Sequence, residues 1–130
     1  MDDREWNGLG FTVFPSEETT IEVVDDPIYG GAHTYLLRNC LGFVGGATVY
    51  TEDDYQRVQF IQKNDDGSII PGLQSEQLAY VLLDRAIKLN ARFPSSHNEK
   101  QIAGLRLFIE GCEDRVRERI ERGVMGELKQ

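Results

Sequence analysis

Apolar positions along this chain change their period once, near Ser75. Before that point they alternate or run in short β-branched stretches; after it they recur at steps of three and four. Residues 19–24 (TTIEVV) predict a strand that ends at the turn signal Asp25-Asp26-Pro27. Gly30-Gly31 precedes a second strand over 32–38, where Thr34, Leu36 and Arg38 alternate with His33, Tyr35 and Leu37. Strands at 48–51 and 56–62 flank the acidic run Glu52-Asp53-Asp54, and Asn64-Asp65-Asp66-Gly67 marks a turn. Residues 19–70 therefore predict a small, meander-like antiparallel sheet, with Gly30-Gly31 and Gly45-Gly46 as turns or bulges.

Beyond Ser75 the pattern predicts two helices. Ser75 caps the first, whose stripe is Leu78, Val81, Leu82, Ile87 and Leu89, and which runs to about Asn90. Phe93-Pro94 breaks it, because a residue before proline avoids helical conformation. Ser96 with Glu99 forms a capping box for the second helix. Its seam of Ile102, Leu105, Ile109, Cys112 and Val116 is spaced as in a coiled coil. Gly104 and Gly111 share one azimuth, inviting close approach of another backbone, and Gly123 is placed to end the helix. A short connection makes the pair antiparallel. The second helix overhangs the first by about ten residues, or roughly 15 Å. The uncovered seam leads us to expect an oligomer. The fold class is α+β: a small antiparallel sheet followed by an antiparallel two-helix hairpin that oligomerises. Residues 1–18 form an acidic arm, with Phe11, Val13 and Phe14 available for docking. Residues 19–130 form one domain, with the β region at 19–70 and the hairpin at 75–124.

Composition narrows the function. A length of 130 residues fits a single domain. A net charge of −8 argues against a general nucleic-acid binder, whose affinity rests on a basic face. The charge is uneven: residues 1–66 carry 13 of the 22 acids and 4 of the 14 bases, whereas the last helix is balanced. A small anion can therefore be held there while the overall field repels a polyanion. The start, MDDREWNGLG, lacks the apolar core of a secretory signal, and no run approaches the roughly 18 apolar residues of a membrane span. Cys40 and Cys112 are too few for a disulfide framework, so the expectation is a cytoplasmic protein with two buried thiols.

Arg115, Arg119 and Arg122 stand at i, i+4 and i+7, on one side of the second helix. Guanidinium groups so placed suit phosphate oxygens, which their planar forks bind in pairs. The same spacing also describes a solvated face laced by Glu118 and Glu121 and favoured by the helix dipole. Asn98 lies in the first turn, where free backbone N–H groups attract anions. It stands 17 positions before Arg115, about 25 Å along one helix, so a small ligand touching both must sit between subunits. His33 and His97 make no metal-ligand spacing with either cysteine. Glu110 and Glu113 resemble the E-x-x-E pair of all-α nucleotide pyrophosphohydrolases, but the first helix offers only Glu76 and Asp84 as the second pair magnesium would need. There is no nucleophile elbow, P-loop or dinucleotide fingerprint. No catalytic residue, metal or cofactor is assigned.

The order of elements, the strand VQFIQ, and two helices ending in R-x-x-x-R-x-x-R-G-V-x-G resemble the first Thoeris anti-defence family of phage proteins. That family shares its helical hairpin with the anti-CBASS sponges. The resemblance spans residues 19–126 and is most specific at Phe93, Asn98, Arg115, Arg119 and Arg122-Gly123-Val124-x-Gly126. In the β region it rests on Gly30-Gly31-Ala32-His33-x-Tyr35 and Gln59-Phe60. The pattern departs at His97, where the family often has Glu, at Val116, where it has Thr, and at the turn Ile70-Pro71-Gly72-Leu73, which lacks a second glycine. The resemblance implies a non-catalytic sponge that sequesters cyclic immune signalling nucleotides, glycocyclic ADP-ribose or cyclic di- or trinucleotides, as a dimer or hexamer in the infected host's cytoplasm. It implies that Asn98, Arg115 and Arg119 contact ligand, with Arg122 beside them and Phe93 as stacking partner. The rival reading is a hairpin used only for assembly, with its arginines solvated.

Overall fold

The computed structural model describes residues 8–24 and 33–123. The turn at Asp25-Asp26-Pro27, the pair Gly30-Gly31, Ala32, the first seven residues of the arm, and Val124 and Gly126 lie outside the described residues. The described chain falls into two compact units, residues 8–24, 33–62 and 69–72, and residues 63–68 and 73–123.

The first unit holds β1 (Ile21–Val24), β2 (Thr34–Val44) and β3 (Ala47–Gln59), in spatial order β1-β2-β3 and antiparallel throughout. Glu22 faces Leu36, which in turn faces Arg57. β2 runs six residues past the predicted end at Arg38, because Gly45 and Gly46 close a two-residue hairpin turn with φ of 60° and 83°. Positive φ at both central positions matches the twist of the flanking strands, and glycine adopts it without steric cost.

Two predicted strands prove to be one. Arg38 faces Tyr55, but Cys40, two residues on, faces Tyr50, five residues back. The surplus on β3 contains Glu52, Asp53 and Asp54, so the acidic run bulges out of the pairing without ending the strand. Thr51 Oγ1 accepts from Asn39 N (3.1 Å) and donates to the Asp54 carbonyl (2.6 Å), and Asn39 Nδ2 donates to Asp54 Oδ2 (3.0 Å). A second irregularity makes Leu41 the extra residue on β2.

The described part of the arm lies beside β1, with bridges Gly8–Glu22 and Thr12–Thr19 and a bond from Leu9 N to the Ile21 carbonyl of 3.0 Å. Phe11, Val13 and Phe14 do not dock; all three are exposed. Val23 and Leu36 are buried with Thr20 and a fully buried Glu22, and Tyr35 meets Phe60 edge to face at 5.8 Å. Two short strands complete the β elements, β4 (Gln62–Lys63) and β5 (Ile69–Ile70). In the turn between them Asp66 Oδ1 accepts from Ser68 N (2.8 Å) and Ser68 Oγ (2.6 Å), and Asn64 N donates to the Ser68 carbonyl (2.9 Å). These bonds hold the Asp66 carboxyl below the usual aspartate range.

The second unit is the hairpin of α1 (Ser75–Arg92) and α2 (Ser96–Arg122). Each helix starts one residue earlier than its predicted cap implies: Gln74 and Ser95, not Ser75 and Ser96, are the N-caps. Gln74 N donates to Gln77 Oε1 (2.7 Å), and Ser95 Oγ accepts from Asn98 N (3.0 Å). Gly123 ends α2 with φ 71°, as the sequence predicts. On α2 the seam is as expected, with Ile109 buried and Ile102, Leu105, Cys112 and Val116 half-buried. On α1 the expected stripe is displaced. The inner face carries Glu76, Ala79, Leu83, Ala86 and Asn90, while Val81, Leu82, Ile87 and Leu89 are exposed and Leu78 half-buried. Alanines seven apart let the helices approach closely, which pushes the bulkier residues to the flanks.

Candidate ligand-binding site on the helical hairpin

The turn between the helices is built from side chains that reach back to the main chain. Ser95 N donates to Asn90 Oδ1 (3.1 Å), and Asn98 Nδ2 donates to the Phe93 carbonyl (2.8 Å). Phe93, the C-cap of α1, donates its N–H to the Leu89 carbonyl (2.7 Å). Asn98 thus spends its backbone and side-chain donors on the turn, keeping Oδ1 as an acceptor. Phe93 is exposed, with the Arg92 guanidinium 5.2 Å from its ring centroid, so its own neighbour shares the aromatic face. The connection pattern that sequence reasoning missed is visible afterwards as Asn90, Ser95 and Asn98, polar residues of turn-forming type around Pro94.

α2 is continuous from Ser96 to Arg122, so Asn98 and Arg115 stand about 25 Å apart in one chain and do not meet. Arg115, Arg119 and Arg122 do lie on one side of its last two turns. Arg115 is exposed and takes no hydrogen bond or ion pair among the described residues. Arg122 is paired with Glu118, and Arg119 is half-buried at the end of the seam stripe. Arg117, on another azimuth, pairs with Asp114 at 2.7 Å. Beside Arg115, burial and then the Glu76 carboxylate push the Cys112 thiol up, with Arg115 pulling it down. Cys112 is half-buried, as its place on the seam requires, but Cys40 is exposed on β2, against the expectation of two buried thiols.

Among the described residues Gly104 and Gly111 border open space: a Cβ on either meets no atom within 4 Å outside its own helix turn. At Gly104 this space widens into a groove of about 420 Å³ between the helices, lined by Leu82, Arg85, Ala86, Leu89, Gln101, Gly104 and Leu105. The sequence signal for it was the glycine spacing, with Leu82 and Leu89 of the expected α1 stripe on its other wall.

Among the described residues no three His, Cys, Asp or Glu side chains gather closely enough to hold a metal ion. No described helix is long and apolar enough to cross a membrane. The chain matches no protein-family model, and no curated protein matches it either.

Proposed function

We propose that this protein is a non-catalytic phage anti-defence sponge. It sequesters a cyclic immune signalling nucleotide, glycocyclic ADP-ribose or a cyclic di- or trinucleotide, at an interface between subunits. The observation that carries this reading is Arg115, an exposed guanidinium without a partner among the described residues, beside Arg119 and Arg122 on one side of a helix end. Such a group keeps its full bidentate capacity for a phosphate. The sequence resemblance supplies the ligand class. Asn98 Oδ1 and the Phe93 ring of a second copy would complete the site, since one copy's helix holds them about 25 Å from Arg115.

Calorimetric titration with cyclic ADP-ribose isomers and cyclic di- and trinucleotides, followed by heat release and analysis of the ligand, tests the reading. Submicromolar binding with ligand recovered unaltered, lost in the Arg115→Ala/Arg119→Ala variant, supports it. A cleaved product makes the protein an enzyme, and absence of binding across the panel rejects the sponge. The assembly-only reading draws on the Arg122–Glu118 pair and on Asn98's engagement in the turn. It predicts that the double variant changes neither oligomeric state nor ligand uptake.

A further inference from the structure

β1 pairs with β2 only from Thr34 to Leu37, so the rest of the β2–β3 hairpin is a two-stranded ribbon. Its end is apolar and open to solvent: Leu41, Phe43 and Val44 expose 68%, 74% and 72% of their surface. A free ribbon is marginal in water, and three adjacent large apolar residues at its tip cost more than they contribute unless something covers them. Four residues back from the level of Phe43, roughly 13 Å, stand Glu52 and Asp53, exposed and without an ion pair among the described residues. The ribbon is thus an acidic stem with an apolar head, unsuited to a nucleic acid or an anionic membrane.

The hairpin unit carries the opposite pattern. Its groove of about 420 Å³ is walled by Leu82, Leu89 and Leu105 and floored by Gly104, with room for an aromatic ring and an aliphatic side chain. Along the α1 rim run Arg85, Lys88 and Arg92, spread over about 10 Å of helix. Lys88 is held by Asp84 at 2.9 Å, whereas Arg85 has no ion pair among the described residues. Apolar head meets apolar groove, and acidic stem meets basic rim.

We infer that the β2–β3 ribbon is an assembly arm, docking Phe43 and its neighbours into the α1–α2 groove of a second copy of this chain. Reciprocal exchange of two arms gives a closed, two-fold pair with the same contact made twice. Glu52 and Asp53 then face Arg85, which fixes the arm's direction more than it adds affinity.

The test uses the full chain and needs no nucleotide, so its outcome is independent of the sponge reading. Sedimentation across a wide concentration range should show a self-associating wild type. Phe43→Glu, with folding verified by circular dichroism, should raise the dissociation constant by about 100-fold or more, the effect of unburying two such rings. For placement, copies carrying Phe43→Cys are mixed with mass-tagged copies carrying Gln101→Cys, both with Cys40 and Cys112 replaced by Ser. Mild oxidation should link one type to the other, and the same oxidation carried out in denaturant should not. A monomeric wild type, or a Phe43→Glu variant that assembles normally, overturns the inference. So does association that Leu82→Glu alone disrupts, which would give the groove to another hairpin instead.

Discussion

Two large aliphatic residues two positions apart on α2 have opposite surroundings, and that contrast gives a quantitative test of the hairpin. Ile109 exposes 5% of its surface on the seam, and Leu107 exposes 70% on the outer face. Truncating a buried Ile to Ala costs about 2–5 kcal/mol from lost transfer energy and the cavity left behind. The low end applies here, because the facing α1 surface is lined by Ala79 and Ala86 and a thin two-helix layer can settle inward. Alanine also returns up to about 0.7 kcal/mol in helix propensity. The net expectation for Ile109→Ala is about 1.5 kcal/mol, a fall in Tm of roughly 4–8 °C for a chain of this size. Leu107→Ala should stay within about 0.5 kcal/mol of wild type. Urea unfolding followed by circular dichroism at low protein concentration measures both, with an unchanged m-value showing that both forms unfold from the same compact state. Equal losses at the two positions, or a loss below about 1 kcal/mol at Ile109, would refute this facing of α2 toward α1.

Three further outcomes follow from local geometry. Ser95→Ala removes the acceptor of the Asn98 N–H and should cost about 1 kcal/mol by thermal melting, whereas Ser96→Ala, one residue inside the helix, should cost a few tenths at most. Gly72→Ala places a Cβ 2.4 Å from the Phe60 carbonyl carbon and 2.6 Å from Ile61 N, main-chain atoms that cannot step aside, so the soluble yield and Tm should drop sharply while Gly104→Ala is tolerated. Asp66 titrates below the usual aspartate range in the fold, so its bonds to Ser68 are at full strength above the unfolded carboxyl's pKa and are lost as pH falls through the depressed value. The Ser68 amide resonance should therefore hold its position down to mildly acidic pH and move only in stronger acid; movement near neutrality would contradict the assignment.

The element order and the α2 seam were legible because each rests on a single strong signal: β-branched runs before Ser75, and apolar residues at three- and four-residue steps after Ser96. The α1 face was not. Leucine and isoleucine dominate any count of apolar periodicity, yet the contact side of a close-packed helix pair is chosen by Ala79 and Ala86, whose small size permits the approach. The β3 bulge was half legible: Glu52-Asp53-Asp54 signalled a break, but Thr51 and Asn39 satisfy the displaced main chain locally and the strand continues. At the candidate site, the arginine spacing was visible in the chain, while the engagement of Asn98 by Phe93 and Ser95 depends on the turn's conformation, which no periodicity reports.

Placing alanines between the helices moves the larger apolar groups outward, and this shapes both proposals. Leu82, Leu89 and Phe108 are exposed on the hairpin, and full burial of each would be worth roughly 1.5–3 kcal/mol. A second copy is a natural source of that burial, but where it docks decides whether ligand binding and assembly compete. The groove centres on Gly104, and Arg115 lies eleven residues further along the continuous α2, about 16 Å away. A ribbon tip in the groove leaves the arginine end open. A second hairpin laid along Gly104 and Gly111 would instead run on to Arg115 and bring its partner's Asn98 toward it. In the first arrangement the arm contact is independent of nucleotide uptake, and the interface that brings a second copy's Asn98 to Arg115 forms separately. In the second, assembly and nucleotide uptake must strengthen each other by the same factor, because coupling between binding equilibria is reciprocal. The concentration dependence of nucleotide affinity therefore separates an arm that only assembles the protein from an interface that also builds its site.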